Sequence, residues 1–260
     1  MTILDNEYMS FIRTLKKLFC GFEDLFLSNH ACLCCRREIP DGTEFSLCEN
    51  CVSKLDKIEG KTCKFCGEKI EGNVLVCDRC KTAKYNFEKN TSFVYYDEVA
   101  GRIVKRFKYS SKKYYAEYIA RLMANRKEVF DGVDYLTFVP VGAKRKRERG
   151  FNQAEELVKE ISKIVNIEVV ELLEKVGSEK HQAGLSQKER MENLKGTFCL
   201  KEENVKLLKN KTILIIDDVF TTGSTLSECA KVLLSKRGAK PKSVLTYTFA
   251  KTRLFSSKNG

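Results

Sequence analysis

The chain has 260 residues, 43% of them hydrophobic and 32% charged, with 47 Lys and Arg against 35 Asp and Glu for a net charge of +12. That length allows one large domain or two modest ones, and no apolar run approaches the roughly eighteen residues of a spanning helix. The charge is uneven: residues 101–150 hold fourteen Lys or Arg against five Asp or Glu, a bias that points to an anionic partner.

Residues 1–29 read as an amphipathic helix packed on the body, with Phe11, Ile12, Leu15, Leu18, Phe19 and Phe22 as its apolar side chains. Arg13, Lys16, Lys17, Glu23 and Asp24 interrupt that stretch, so it lacks the continuous core of a signal peptide. The expected location is therefore the cytoplasm.

Residues 30–85 contain nine cysteines, eight of them in four C-x-x-C pairs: Cys32/Cys35, Cys48/Cys51, Cys63/Cys66 and Cys77/Cys80. The segment repeats itself, Cys32 to Cys51 and again Cys63 to Cys80. Two residues between thiolates let both sulfurs reach one tetrahedral ion, and two such knuckles complete a four-sulfur shell. A redox C-x-x-C comes singly in a βαβ setting, which is missing here. Two structural zinc ions are expected, with no open position for catalysis. The repeat favours one zinc per repeat, although a cross-braced pairing would use the same residues. Cys34 is spare, and Cys20, Cys199 and Cys229 read as small core residues.

From Ser92 onward, strands and helices alternate. Strands are expected at Ser92–Tyr96, Leu136–Val141, Ile167–Val170, Thr212–Ile216 and Ser243–Phe249. Helices are expected around Val99 to Phe107, Tyr115 to Met123, Asn152–Val165 and Thr225–Lys236. In the third of these, Ala154, Leu157, Val158, Ile161, Ile164 and Val165 form the buried face. Continuous apolar strands separated by helices imply a parallel sheet, covered on both faces, that binds ligands at its carboxyl ends. The body spans residues 90–252, followed by a tail at 253–260.

The most informative segment runs from Ile213 to Thr225, a buried strand followed by Asp217-Asp218 and then Val219-Phe220-Thr221-Thr222-Gly223-Ser224-Thr225. Backbone N–H groups around Gly223, with the hydroxyls of Thr221, Thr222, Ser224 and Thr225, suit a phosphate at a helix N-terminus. Asp217 and Asp218 suit the paired hydroxyls of a ribose. No Gly-Lys-Ser/Thr follows, so this is not a Walker loop.

These thirteen residues resemble the phosphoribosyl-pyrophosphate signature of type I phosphoribosyltransferases, and the chain as a whole resembles the ComF family of bacterial competence proteins. Further matches are Phe138-Val139-Pro140-Val141, Arg145, Arg149-Gly150-Phe151-Asn152-Gln153-Ala154, and Gln182-Ala183-Gly184-Leu185 with Arg190 and Asn193. Val141-Gly142-Ala143 departs from the Val-Pro-Leu common in the family. The resemblance covers about residues 30 to 250. It implies an α/β fold: a type I phosphoribosyltransferase-like parallel sheet with helices on both faces, preceded by a small cysteine-rich zinc-finger domain.

It also implies a part in natural transformation, with phosphoribosyl pyrophosphate and single-stranded DNA as partners and the DNA-uptake machinery, at the inner face of the membrane, as the setting. The loop after Val141 would face the pyrophosphate through Arg145, Arg149 and Gly150. Residues 181–193 would form a mobile loop carrying Gln182, Arg190 and Asn193, with His181 a surface residue. Magnesium would accompany the bound diphosphate. The alternative to a binding protein is a phosphoribosyltransferase acting on an unidentified nucleobase or nucleic-acid acceptor. Lys105, Arg106, Lys108, Lys112 and Lys113, interleaved with Phe107, Tyr109, Tyr114, Tyr115 and Tyr118, are the expected contacts to DNA, although not all five rings can serve, since helical spacing turns Tyr115 towards the core.

Overall fold

The computed structural model describes residues 31–40, 46–109, 114–176, 194–235 and 239–253. The expected N-terminal helix, Cys20, Lys112, Lys113 and residues 181–193 lie outside them. The chain divides into two compact units, Met1–Ser53 and Lys54–Gly260.

The first unit holds the first cysteine repeat, ending in the short helix α1 (Glu49–Ser53). Cys32 N–H donates to Arg37 O at 2.8 Å, and Arg36 N–H to Cys32 O at 2.9 Å, closing a tight turn with Arg36 at φ 65°. The second repeat opens the larger unit and follows the same plan. Cys63 N–H donates to Glu68 O at 2.7 Å and Gly67 N–H to Cys63 O at 2.9 Å, with Gly67 at φ 68°. The short helix α2 (Asp78–Thr82) stands where α1 stands in the first. The positive φ explains the glycine after Cys66; the equivalent Arg36 bears the steric cost instead.

The body begins with β1 (Lys89–Tyr95), α3 (Glu98–Tyr109), α4 (Tyr114–Ala124) and β2 (Tyr135–Phe138). It continues through α5 (Ala143–Arg149), α6 (Gln153–Val165), β3 (Leu173–Lys175) and β4 (Phe198–Leu200). The long strand β5 (Thr212–Phe220), α7 (Ser224–Ser235) and β6 (Ser243–Lys251) complete it. The sheet is wholly parallel, in the order β1-β6-β5-β2, and β3 pairs with β4 as a separate antiparallel ribbon. The expected strand at Ile167–Val170 adds only one parallel bridge, Val169 to Leu136.

Ile213 and Ile215 share one core with Leu226, Cys229, Ala230 and Leu233 of α7. Residues alternate across a strand, so Leu214 and Ile216 face the other side, where α6 packs against β2 and β5. The second cysteine repeat is part of the first of these cores: Cys63, Cys66, Cys80 and Phe87 pack with Phe220 and Leu226. Lys251, fully buried at the end of β6, donates to Glu68 Oε2 at 2.6 Å, and Tyr95 OH donates to Glu68 Oε1.

Three packing expectations are corrected. Ile164 is exposed, because it lies at the margin of the stripe centred on Leu157, Val158 and Ile161. Cys199 is not a core residue: it sits on the small antiparallel ribbon, with its thiol 3.2 Å from Glu174 Oε1. Phe107, placed among the DNA-facing rings, is wholly buried, whereas Tyr115 is buried as its helical spacing indicates.

Candidate functional site

The four sulfurs of Cys32, Cys35, Cys48 and Cys51 lie within 4.8 Å of one another, as do those of Cys63, Cys66, Cys77 and Cys80. Cys35 Sγ to Cys48 Sγ and Cys66 Sγ to Cys77 Sγ are both 3.7 Å. A tetrahedron with Zn–S bonds of about 2.3 Å has edges of about 3.8 Å, so both sets fit zinc. The amides of Cys48 and Cys77 each stand 3.4 Å from the first sulfur of their own repeat, Cys32 and Cys63, and stabilise thiolate charge there. Grouping is therefore by repeat and not cross-braced. Metal analysis should return two zinc equivalents for the wild-type chain. Cys63→Ser should lose one of them and expose the second repeat to protease, because a ribbon's metal supplies much of its folding energy. Less than one equivalent in the wild type would contradict the assignment.

The second candidate site follows from two strands of unequal length. β2 pairs with β5 only from Tyr135–Ile213 to Phe138–Ile216, and Pro140, which has no N–H, follows. On its other side β5 stays paired with β6 as far as Phe220–Lys251. The strand therefore runs four residues past its expected end, and Asp217 and Asp218 sit on a strand whose β2 side has opened. This is where a parallel sheet receives its ligand.

A cleft of about 140 Å³ lies there, lined by both aspartates, Thr225, Pro140 and Val141, and by Lys108, Arg145, Arg149 and Lys175. Asp218 is buried and Lys108 Nζ approaches its Oδ2 at 2.8 Å. Lys108 thus serves the cleft and not the open surface expected of it; helical periodicity alone cannot show which carboxylate a lysine will meet. The Asp217 carboxyl is pushed up to about 7, chiefly by burial and then by the Asp218 charge, against the opposing pull of Lys108 and Arg149. Four cations and two carboxylates line the cleft, so it favours a polyanion that carries hydroxyls.

The segment after Val141 is not the expected loop but α5, which Gly150 ends at φ 83° with its N–H on Lys146 O at 2.8 Å. Arg149 Nη1 donates to Gln153 Oε1 at 3.0 Å, and its guanidinium lies 5.8 Å from the Tyr109 ring centre. Asn152 caps α6, accepting from Ala154 N–H at 3.1 Å while its Nδ2 donates to Val139 O at 3.1 Å. The strand end and the helix start are thereby locked together.

On the other side, Thr221 to Thr225 turn into α7 through Gly223, at φ 76°. A Cβ there would stand 2.6 Å from Phe220 Cζ and 2.8 Å from Tyr85 Cε1, so no other residue fits. The Thr222 and Ser224 hydroxyls are 2.8 Å apart. Tyr85 OH donates to Thr222 O at 3.2 Å, and Asn86 bonds to Ser227 in the first turn of α7. Tyr85, Lys175 and Phe198 were not singled out from the sequence. Tyr85 lies 137 positions from Thr222, and no local pattern joins them.

Among the expected DNA contacts, Lys105 is exposed on α3, with Arg106 half-buried beside it. Tyr109 is 75% exposed. Lys144, Lys146 and Arg147 are exposed on α5, whose Arg149 meets Tyr109. No helix among the described residues is long and apolar enough to cross a membrane.

The family described as "Phosphoribosyl transferase domain" matches residues 147–257, and "Double zinc ribbon domain" matches residues 22–81. "Competence protein F" of Haemophilus influenzae is 27% identical over 79% of this chain and 91% of its own. "Competence protein ComFC" of Bacillus subtilis is 28% identical over 79% and 84%, respectively. "DNA utilization protein YhgH" of Escherichia coli is 26% identical over 80% and 92%.

Proposed function

We propose, for a chain that belongs to the ComF family, that the cleft binds phosphoribosyl pyrophosphate with magnesium and that the basic rim around it handles single-stranded DNA in the cytoplasm. The observation that carries the first part is the opening of β5 beside β2. It presents Asp217 and Asp218 between a phosphate-sized turn and a set of cations. In this reading the Thr221–Thr225 turn takes the 5-phosphate on backbone N–H groups and hydroxyls. The two carboxylates accept from the ribose hydroxyls, and Arg145, Arg149 and Gly150 lie on the pyrophosphate side. Gln182, Arg190 and Asn193 complete the expected set outside the described residues. Magnesium would be held mainly by ligand oxygens, neutralising the diphosphate.

The DNA part rests on charge and on exposed rings. Lys105 and Tyr109 are exposed on α3, and Lys144 and Arg147 on α5, the two helices that supply Lys108, Arg145 and Arg149 to the cleft. Such exposed cations can replace counterions, and a ring can stack on a base. The printed names of the relatives, competence and DNA utilisation, favour the same reading. The uptake machinery at the inner face of the membrane is the natural partner for such a role. The second reading, transfer of the phosphoribosyl group to an acceptor, is favoured by the complete acidic pair and by a cleft that extends under Lys175 and Phe198. There the C1–O bond would break with pyrophosphate leaving, and the carboxylates would stabilise positive charge on the sugar. Pyrophosphate release across a panel of acceptors separates the two.

The DNA test is anisotropy of a labelled oligothymidylate over a salt series. The variant Lys105→Ala, Tyr109→Ala, Lys144→Ala and Arg147→Ala removes three cations and one ring but keeps Lys108, which the cleft needs. Its log K against log salt slope should fall by about 2 in magnitude, at about 0.7 per cation. An unchanged slope with unchanged affinity would move the DNA surface elsewhere.

A further inference from the structure

We infer that Gln153 is a ligand-contacting residue of the cleft, whose side-chain N–H donates to a diphosphate oxygen, and that Arg149 holds it in place for this. The inference deepens the phosphoribosyl-pyrophosphate reading and rests on it.

Gln153 is the first residue of α6, only 2% exposed, and it lines the cleft. Its amide orientation is settled by chemistry. Arg149 Nη1 stands 3.0 Å from it, and a guanidinium has donors only, so the oxygen faces Arg149. The NH2 group must then point elsewhere, and Nε2 has no hydrogen-bond partner among the described residues. A buried donor without an acceptor is costly to keep, so its place beside a polar cleft calls for an acceptor brought by the ligand.

The backbone position is fixed. Asn152 ties the start of α6 to Val139 at the end of β2, and the Arg149 contact holds the Gln153 side chain. The ligand atom must accept and not donate, and it must suit a neighbourhood in which Arg145 and Arg149 supply positive charge. A diphosphate oxygen meets both conditions. The ribose hydroxyls and the 5-phosphate belong to Asp217, Asp218 and the Thr221–Thr225 turn.

The test is calorimetry with three probes, each with magnesium: phosphoribosyl pyrophosphate, inorganic pyrophosphate and ribose 5-phosphate. Gln153→Leu should weaken the first two by about ten- to a hundredfold, the loss for one hydrogen bond to a charged group, and leave ribose 5-phosphate within about twofold of wild type. Gln153→Glu keeps a partner for Arg149 but sets a carboxylate towards the diphosphate, so it should bind pyrophosphate more weakly than Gln153→Leu. A thermal melt checks both folds, and the glutamate variant decides the matter if the leucine variant is unstable. Wild-type affinity for pyrophosphate in either folded variant would overturn the role of Gln153 while leaving the cleft assignment standing. A loss confined to ribose 5-phosphate would overturn the choice of diphosphate. Wild-type protein that bound none of the three probes would overturn the underlying reading, and this inference with it.

Discussion

Asp217→Asn combined with Asp218→Asn should reduce phosphoribosyl-pyrophosphate binding by at least a hundredfold, with the fold retained. Each carboxylate offers a charge-assisted hydrogen bond worth about 1.5–3 kcal/mol, and together these span about two to four decades of affinity. Retention of the fold is expected because Lys108, the cation left without Asp218, keeps partial access to water. The pH dependence supplies a sharper signature. The Asp217 carboxyl sits at about 7, so in the free protein it is largely protonated below that pH. A ribose hydroxyl donates to a carboxylate, and binding must therefore expel the proton. Affinity should fall by up to about tenfold per unit as pH drops below about 7, and level off above it. The stability of the free protein should move the opposite way. Between about 4 and 7 the native state holds a proton that the unfolded chain has released, so stability declines as pH rises through that window. Asp217→Asn alone should remove both dependences. Calorimetry from pH 5.5 to 8.5 and melts over the same range test this directly. A flat affinity profile in the wild type would exclude Asp217 as the ribose acceptor.

The largest effect on stability is expected from Glu68→Gln. Lys251 is wholly buried, with its ammonium on Glu68 Oε2 at 2.6 Å and on Thr252 O at 3.2 Å, and it lies 5.6 Å from the centre of the Tyr95 ring. Removing the Glu68 charge strands a buried ammonium, and breaking such a pair from one side costs about 3–5 kcal/mol. Lys251→Met should cost less, because the Glu68 side chain is 22% exposed and can be hydrated when its partner is gone. The double variant should recover much of the loss. Urea unfolding of the three variants measures these differences. A Glu68→Gln cost below about 1 kcal/mol would mean that Lys251 reaches water after all.

The parts of this architecture that could be read from the sequence are those whose physics is local. A four-sulfur shell needs two closely spaced pairs, so the cysteine repeats declare themselves. The strand end and glycine turn form one continuous segment, Asp217 to Thr225, and the parallel sheet follows from apolar strands between helices. What escaped depends on partners far along the chain. Lys108 looks like any other lysine of a basic helix until β5 brings Asp218 to it, 110 positions on in the sequence. Lys251 ends an apolar strand, where hydropathy assigns it to solvent. The length of β5 is set by β6, which runs to Lys251, and not by anything at Ile216. Gln153 lay within a recognised motif, but its role needed the Arg149 contact that turns its amide.

Repeated modules are commonly treated as beads that can be added to or cut from a chain. The second cysteine repeat does not behave as a bead. Phe65, between Cys63 and Cys66, lies 6.0 Å from the ring of Tyr85, and that ring occupies the space a side chain on Gly223 would need. A gene fusion or expression fragment beginning near residue 90 would leave the turn over Gly223 open to solvent and strip a wall from the core around Phe220. The second repeat falls in the same compact unit as the body, which begins at Lys54. Any lineage that shed the second repeat would have to rebuild the packing around Gly223 and Phe220 at the same time, so this copy of the duplication is held in place by a turn it does not itself contain.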